Sequence, residues 1–188
     1  MAGFLAEAKA WAEGRWWQWR VALLLLLAWD GFRHLRDPEA GGLFAGITFG
    51  VHEFGHMLFA LFGEFMTAAG GSINQLLIPV GAGALLYHYR DFFGIAVAGT
   101  WLSSSLMDLA RYIGDARAQE LDLVGFGEDP QHDWWYLLQQ FNATGSDTRI
   151  AAITRGLGVI VLLGSMLFGT WISLQMAVRR SEVGNGQA

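Results

Sequence analysis

From about Gly42 to Phe62 the chain is largely apolar, and its only ionisable groups are three close positions, His52, Glu53 and His56. An apolar stretch of that length leaves the backbone few polar partners but itself, so it predicts a helix. Four more stretches of this kind run from about Trp16 to Phe32, Ile73 to His88, Phe92 to Ile113 and Ala151 to Val178. Together they predict an all-α, polytopic transmembrane helical bundle with about five membrane segments. Composition agrees: 53% of residues are apolar and 15% charged, against about a quarter charged in soluble domains. Such a chain is expected to present a lipid-facing surface.

The segments differ in quality. The first opens with Trp16, Trp17 and Trp19, placed like an interfacial aromatic belt, and no small-x-small cleavage site follows before Asp30. It reads as a retained anchor helix rather than a removed signal. The third is short for a span of roughly 20 residues. It carries Gly71, Pro79, Gly81 and Gly83, and is expected to be tilted, broken or re-entrant. Gly156, Gly158, Gly164 and Gly169 stud the fifth, where small residues let helices approach closely.

The whole chain, 1–188, reads as a single membrane domain. Its one long polar stretch, 115–149, is expected to form an interfacial loop or helix around His132-Asp133-Trp134-Trp135-Tyr136-Leu137-Leu138. The small polar residues 181–188 read as a mobile tail. Basic residues divide almost evenly between the two sides, so the positive-inside rule gives no firm orientation. Cysteine is absent, which excludes disulfides, thiolate metal ligands and a cysteine nucleophile. The net charge of -5 is spread along the chain and leaves no nucleic-acid footprint. Expected partners are membrane lipid and a membrane-protein substrate or partner complex.

The polar triplet carries the chemistry. On a helix, His52 and His56 stand one turn apart on one face, where both imidazoles can share a cation. Glu53 beside them can take a proton from water activated by a metal and pass it to a leaving amine. Zinc is the expected cofactor, because imidazole is a good zinc ligand and zinc lowers the pKa of water towards neutrality. Charged groups in an apolar span cost roughly 2.5–3.5 kcal/mol each on insertion scales and mark functional sites. The plainer alternative makes the histidines neutral packing residues and pairs Glu53 with an arginine.

A catalytic zinc usually has three protein ligands. Asp115 and His132 rank first for the third, followed by Asp108 and Asp133. Each has a structural alternative: Asp115 in an interfacial salt bridge with Arg111 or Arg117, Asp108 bonded to Ser104 or Ser105, and His132 and Asp133 as an N-cap and a surface histidine. Asp133 is also expected as a carboxylate that orients His132. His34 and His88 read as interfacial side chains at segment ends. Asn74-Gln75 reads as a helix-start cap, or as a contact for an extended substrate.

His52-Glu53-Phe54-Gly55-His56 in an apolar helix, followed by Gly63 and Gly70-Gly71, resembles the site-2 protease class of intramembrane metalloproteases. Ile95-Ala96-Val97-Ala98-Gly99 is similar to the helix that follows the hairpin-like region of that class. The resemblance covers about 42–110. It implies zinc ligands at His52 and His56 and a general base at Glu53. That class takes its third ligand from a late Asn-x-x-Pro…Leu-Asp-Gly motif, which this chain lacks. Asp115-Ala116-Arg117-Ala118 and His132-Asp133-Trp134 look instead like a group of short bacterial membrane proteins that share the His-Glu-x-x-His helix, so a bacterial inner membrane is the expected location.

The leading expectation is therefore water-activated peptide hydrolysis at or within the membrane by a zinc metalloprotease-like protein. The alternative is a non-catalytic, metal-binding or structural subunit of a larger membrane complex. A haem- or chlorophyll-binding role is weaker, because two histidines four apart share one metal better than they clamp a tetrapyrrole.

Overall fold

The computed structural model describes residues 2–123 and 131–185, all helices and connections. Helix α1 is Ala2–Ala12, α2 Gln18–Arg36 and α3 Ala45–Phe59, the last continued by a 3₁₀ turn over Ala60–Phe62. Then come α4 (Glu64–His88), α5 (Phe92–Gly114), α6 (Asp133–Gln140) and α7 (Asp147–Asn185). Residues 186–188 of the expected tail lie outside the described residues, while 181–185 continue α7.

Among the described residues, three helices are long and apolar enough to cross a membrane: Glu64–His88, Phe92–Gly114 and Thr144–Val178. The segments that became α2 and α3 are not among them. Helix α2 carries Arg20, Asp30, Arg33 and Arg36. Helix α3 has 15 residues, about 22 Å at 1.5 Å per residue, against a hydrocarbon core of about 30 Å.

The third apolar segment is not broken. It starts earlier than the sequence suggests and forms one continuous helix of 25 residues with Pro79 inside it. Its glycines serve packing. A Cβ on Gly55 of α3 would fall on the carbonyl of Gly70 in α4, and one on Gly70 would strike Gly55 O and Phe59 Cβ, each at 2.7 Å. Only hydrogens at both positions let the two backbones touch.

Helix α5 sits at the centre, against α7, α4 and α2, with Ser103, Ser104 and Ser105 buried. Ser103 Oγ donates to Gly158 O of α7 at 2.7 Å. Of the glycines expected to form the close face of α7, Gly158 and Gly169 meet α5 and α2, whereas Gly156 and Gly164 face open space. At the end of the bundle far from the motif, Ala8 and Ala12 of α1 pack with Leu24, Phe92, Phe93, Ile172 and Met176.

The connector between α2 and α3 dips into the bundle. Leu43 N donates to Asp30 Oδ2 at 3.1 Å and lies 3.2 Å from Oδ1. Phe44 stacks on Trp101, halfway along α5, with centroids 6.0 Å apart. Trp101 Nε1 donates to Thr48 Oγ1 at 3.0 Å. Irregular backbone inside an apolar bundle needs polar partners, and Asp30 supplies one near the electropositive start of α3. His34 belongs to this buried knot. It is 2% exposed, with Nε2 3.0 Å from Asp108 Oδ1, so it is not an interfacial side chain and Asp108 pairs with it rather than with the serines.

Candidate metal centre

Four helices converge on the motif. His52, Glu53 and His56 come from α3, Thr67, Gly71 and Gln75 from α4, Tyr112 from α5 and Asp133 from the first turn of α6. The two imidazoles stand with ring centroids 4.8 Å apart. Asp133 Oδ2 lies 3.4 Å from His52 Nε2 and 3.3 Å from His56 Nε2. One ligand atom from each of His52, His56 and Asp133 falls within 4.8 Å of the others, and this group could hold a metal ion.

Hydrogen bonds on the other side of each ring decide what the Nε2 atoms offer. His56 Nδ1 lies 2.8 Å from Thr67 O, and a carbonyl can only accept, so Nδ1 carries the proton. His52 Nδ1 lies 2.8 Å from Gln75 Oε1. The Gln75 amide is oriented by its other end, where Nε2 donates to Ser105 O at 2.9 Å, so Oε1 accepts from His52. In the neutral rings both Nε2 atoms then present lone pairs to Asp133. Two lone pairs and a carboxylate oxygen at such distances repel unless a proton on one ring or a metal cation stands among them, and contact with Asp133 raises the pKa of the His56 imidazole to about 9. The donor set fits a metal ion that takes the place of that proton.

Gly71 forms the floor. A Cβ there would lie 2.5 Å from His52 Nε2 and 2.7 Å from His56 Nε2, so a side chain would push the ligand atoms aside. Above them opens a cavity of about 670 Å³, lined by Thr48, Phe49, Glu53, Asp108 and Tyr112 among others. Glu53 faces this space beside the ligands, where a general base has to stand.

Asp133 belongs to α6, outside the three apolar helices. Burial works to raise its pKa, but the contacts with His52 and His56 outweigh it and hold the carboxyl below its ordinary value. Burial pushes the His132 imidazole below its ordinary value, against the opposing pull of Asp115 and Asp133.

The structure brings together His52, His56 and Asp133, with Glu53 on the cavity wall. It does not bring Asp115, His132 or Asp108 into that group. Asp115 and His132 face each other instead, Oδ2 to Nε2 at 3.4 Å. Asp115 also accepts from Glu120 N at 2.9 Å and Leu121 N at 3.2 Å, while Arg117 pairs with Asp147. His132 caps α6, its Nδ1 accepting from Trp135 N at 3.3 Å. Asn74 and Gln75 are neither a helix start nor exposed. They lie buried within α4, where Asn74 donates to Val51 O at 2.7 Å. Sequence reasoning missed Thr67, Tyr112 and the role of Gln75. A lone glutamine in an apolar segment was the available signal for Gln75, and nothing marked the other two.

Comparison with protein-family models, with curated proteins and with solved structures gives no match for this chain.

Proposed function

We propose that the chain is a multi-pass membrane protein, of the bacterial inner membrane, that hydrolyses peptide bonds as a zinc metalloprotease similar to the site-2 protease class. In this reading α4, α5 and α7 cross the membrane with α2 beside them. His52, His56 and Asp133 hold zinc, and Asp133 takes the place of the late aspartate that the class supplies from another motif. One observation carries the reading. Ligand atoms at about 2.0–2.1 Å from a tetrahedral zinc stand roughly 3.3–3.4 Å apart, and the two histidine-to-aspartate separations are 3.4 and 3.3 Å.

When bound, zinc supplies a Lewis acid that polarises the scissile carbonyl and acidifies water. The protein supplies the rest. Glu53 accepts the proton of the attacking water and returns it to the departing amine. Gln75 and Thr67 hold the Nδ1 protons, so the imidazoles cannot turn away. The cavity admits water and an extended peptide segment beside Glu53.

Metal analysis and hydrolysis of single-span peptides, both on full-length protein in detergent, test the proposal together. The expected result is one zinc per chain, lost in His56→Ala, and a peptidase activity that Glu53→Gln removes while zinc is retained. Absence of zinc from the wild type overturns the reading. Zinc without any activity sensitive to Glu53→Gln favours the alternative, a non-catalytic metal-binding subunit of a membrane complex.

A further inference from the structure

His52 and His56 sit on α3, whose backbone is locked to α4 at Gly55 and Gly70. Asp133 has no such anchorage. It opens an eight-residue helix and must still place one oxygen against two ring nitrogens. A ligand set works only when its members are held to a fraction of an ångström, and this usually falls to the groups around them.

Tyr112 of α5 meets Asp133 twice. Its hydroxyl donates to Asp133 Oδ2 at 3.1 Å and accepts from Asp133 N at 3.0 Å. One phenol oxygen therefore fixes both the backbone and the side chain of the same residue. Oδ2 is also the oxygen turned to the two histidines. It has two lone pairs, one for the phenol and one for a cation.

Tyr112 is braced in turn. The His132 ring stacks on it with centroids 4.3 Å apart and planes at 25°. His132 Nδ1 accepts from Trp135 N, so in the neutral ring Nε2 carries the proton, with Asp115 Oδ2 3.4 Å away. Trp134 Nε1 donates to Ser72 Oγ at 3.0 Å, pinning the same turn of α6 to α4 next to Gly71.

The geometry points to Tyr112 as the positioning residue of the metal centre, aiming the Asp133 carboxylate at the cation, with the His132–Asp115 pair as its brace. The inference rests on Asp133 being a ligand. It gives Asp115 and His132 a role one step removed from the metal.

The test is metal affinity of the full-length protein in detergent, by competition with a chromophoric chelator, together with the visible spectrum of the cobalt-loaded form. Tyr112→Phe keeps the ring and removes the hydroxyl. It should weaken metal binding roughly 10–100-fold and alter the cobalt bands, while the helicity of the metal-free protein stays at its wild-type value. His132→Asn keeps a capping side chain and loses the stacked ring, and should weaken binding in the same direction. A second readout leaves the chain unsubstituted. With fluorotyrosine at all four tyrosines, the Tyr112 fluorine resonance should move on metal loading. Wild-type affinity and cobalt spectrum in Tyr112→Phe, or an unmoved Tyr112 resonance, overturns the inference while leaving the metal site intact. A wild type that binds no metal overturns the proposed function and this inference together.

Discussion

Gln75 joins His52 to Ser105, accepting from the imidazole Nδ1 through Oε1 at 2.8 Å and donating Nε2–H to the serine carbonyl at 2.9 Å. Both ends of the amide are used, so its orientation is fixed and the ligand histidine inherits it. Gln75→Leu keeps the volume and removes the acceptor. Metal affinity should fall roughly 10–100-fold, read by chelator competition. An unchanged dissociation constant would show that the His52 ring needs no such support.

Gly71→Ala tests the floor of the site. Its Cβ would come within 2.5 Å of His52 Nε2, so bound metal should be lost while the helical content remains. Gly55→Ala should act on stability instead. Forcing a methyl between touching backbones costs about 1–3 kcal/mol, visible as a lower melting temperature. If both variants bind metal and melt like the wild type, the close approach of α3 and α4 is wrong.

Asp30→Ala should destabilise the connector rather than the metal site. It strips the acceptor from Leu43 N, a part-buried donor, and leaves the buried pocket that held the carboxylate empty, so the cost is at most about 1–3 kcal/mol. The measurement is denaturant or thermal unfolding of the metal-free protein. A cost near zero would mean that water or another group satisfies Leu43.

The pH dependence has one sign for both perturbed groups near α6. The Asp133 carboxyl is held below its ordinary value, so its contribution is complete above the unfolded pKa and is lost as pH falls through the lower, folded one. The His132 imidazole is also lowered, so it too gives up stability as pH falls below about 6.5. The His56 imidazole, raised to about 9 by Asp133, has the opposite sign, but its contribution is complete below about 6.5, so below that pH metal-free protein should melt progressively earlier. His132→Gln should flatten the part of that slope nearest pH 6, and an unaltered slope would contradict the assignment.

The chain has no cysteine, so single cysteines report topology without a background. Glu39 and Glu64 flank α3 and both line the cavity, while Tyr89 lies past the far end of α4. In vesicles of one orientation, Glu39→Cys and Glu64→Cys should label from the same side and Tyr89→Cys from the other. Labelling of the first two from opposite sides would make α3 a complete crossing.

What could be read from the sequence follows the range of the forces involved. The motif was legible because a four-residue spacing on a helix fixes relative direction whatever surrounds it. Helix α5 was legible because Asp91, which accepts from Gly94 N, and Gly114 bound a run that is apolar over most of its first half and carries isolated polar residues after it. The start of α4 was not, because Gly63, Gly70 and Gly71 look like breakers until a neighbouring helix is seen lying against them. Helix α1 escaped notice because its buried alanines, Ala8 and Ala12, find their partners some 80 and 160 residues along the chain, at Phe92 and Ile172. Asp133 was confused with Asp115 and His132 because all three precede or follow helix ends on one polar stretch. Tyr112, which stacks on His132 and hydrogen-bonds Asp133, lies on α5, outside that stretch.

The contact between Gly55 and Gly70 divides the centre in time as well as in space. Both histidines and both groups that hold their Nδ1 protons lie before residue 89, on two helices that can lock together as soon as they are made. Asp133 arrives only after α5 has been placed and the chain has turned back. On the proposed reading, a nascent chain would carry only the two histidines of the metal site until α6 docks. Capture of the metal would then mark the moment at which the bundle has closed, and a cavity containing Glu53 could not become reactive before the protein around it is finished.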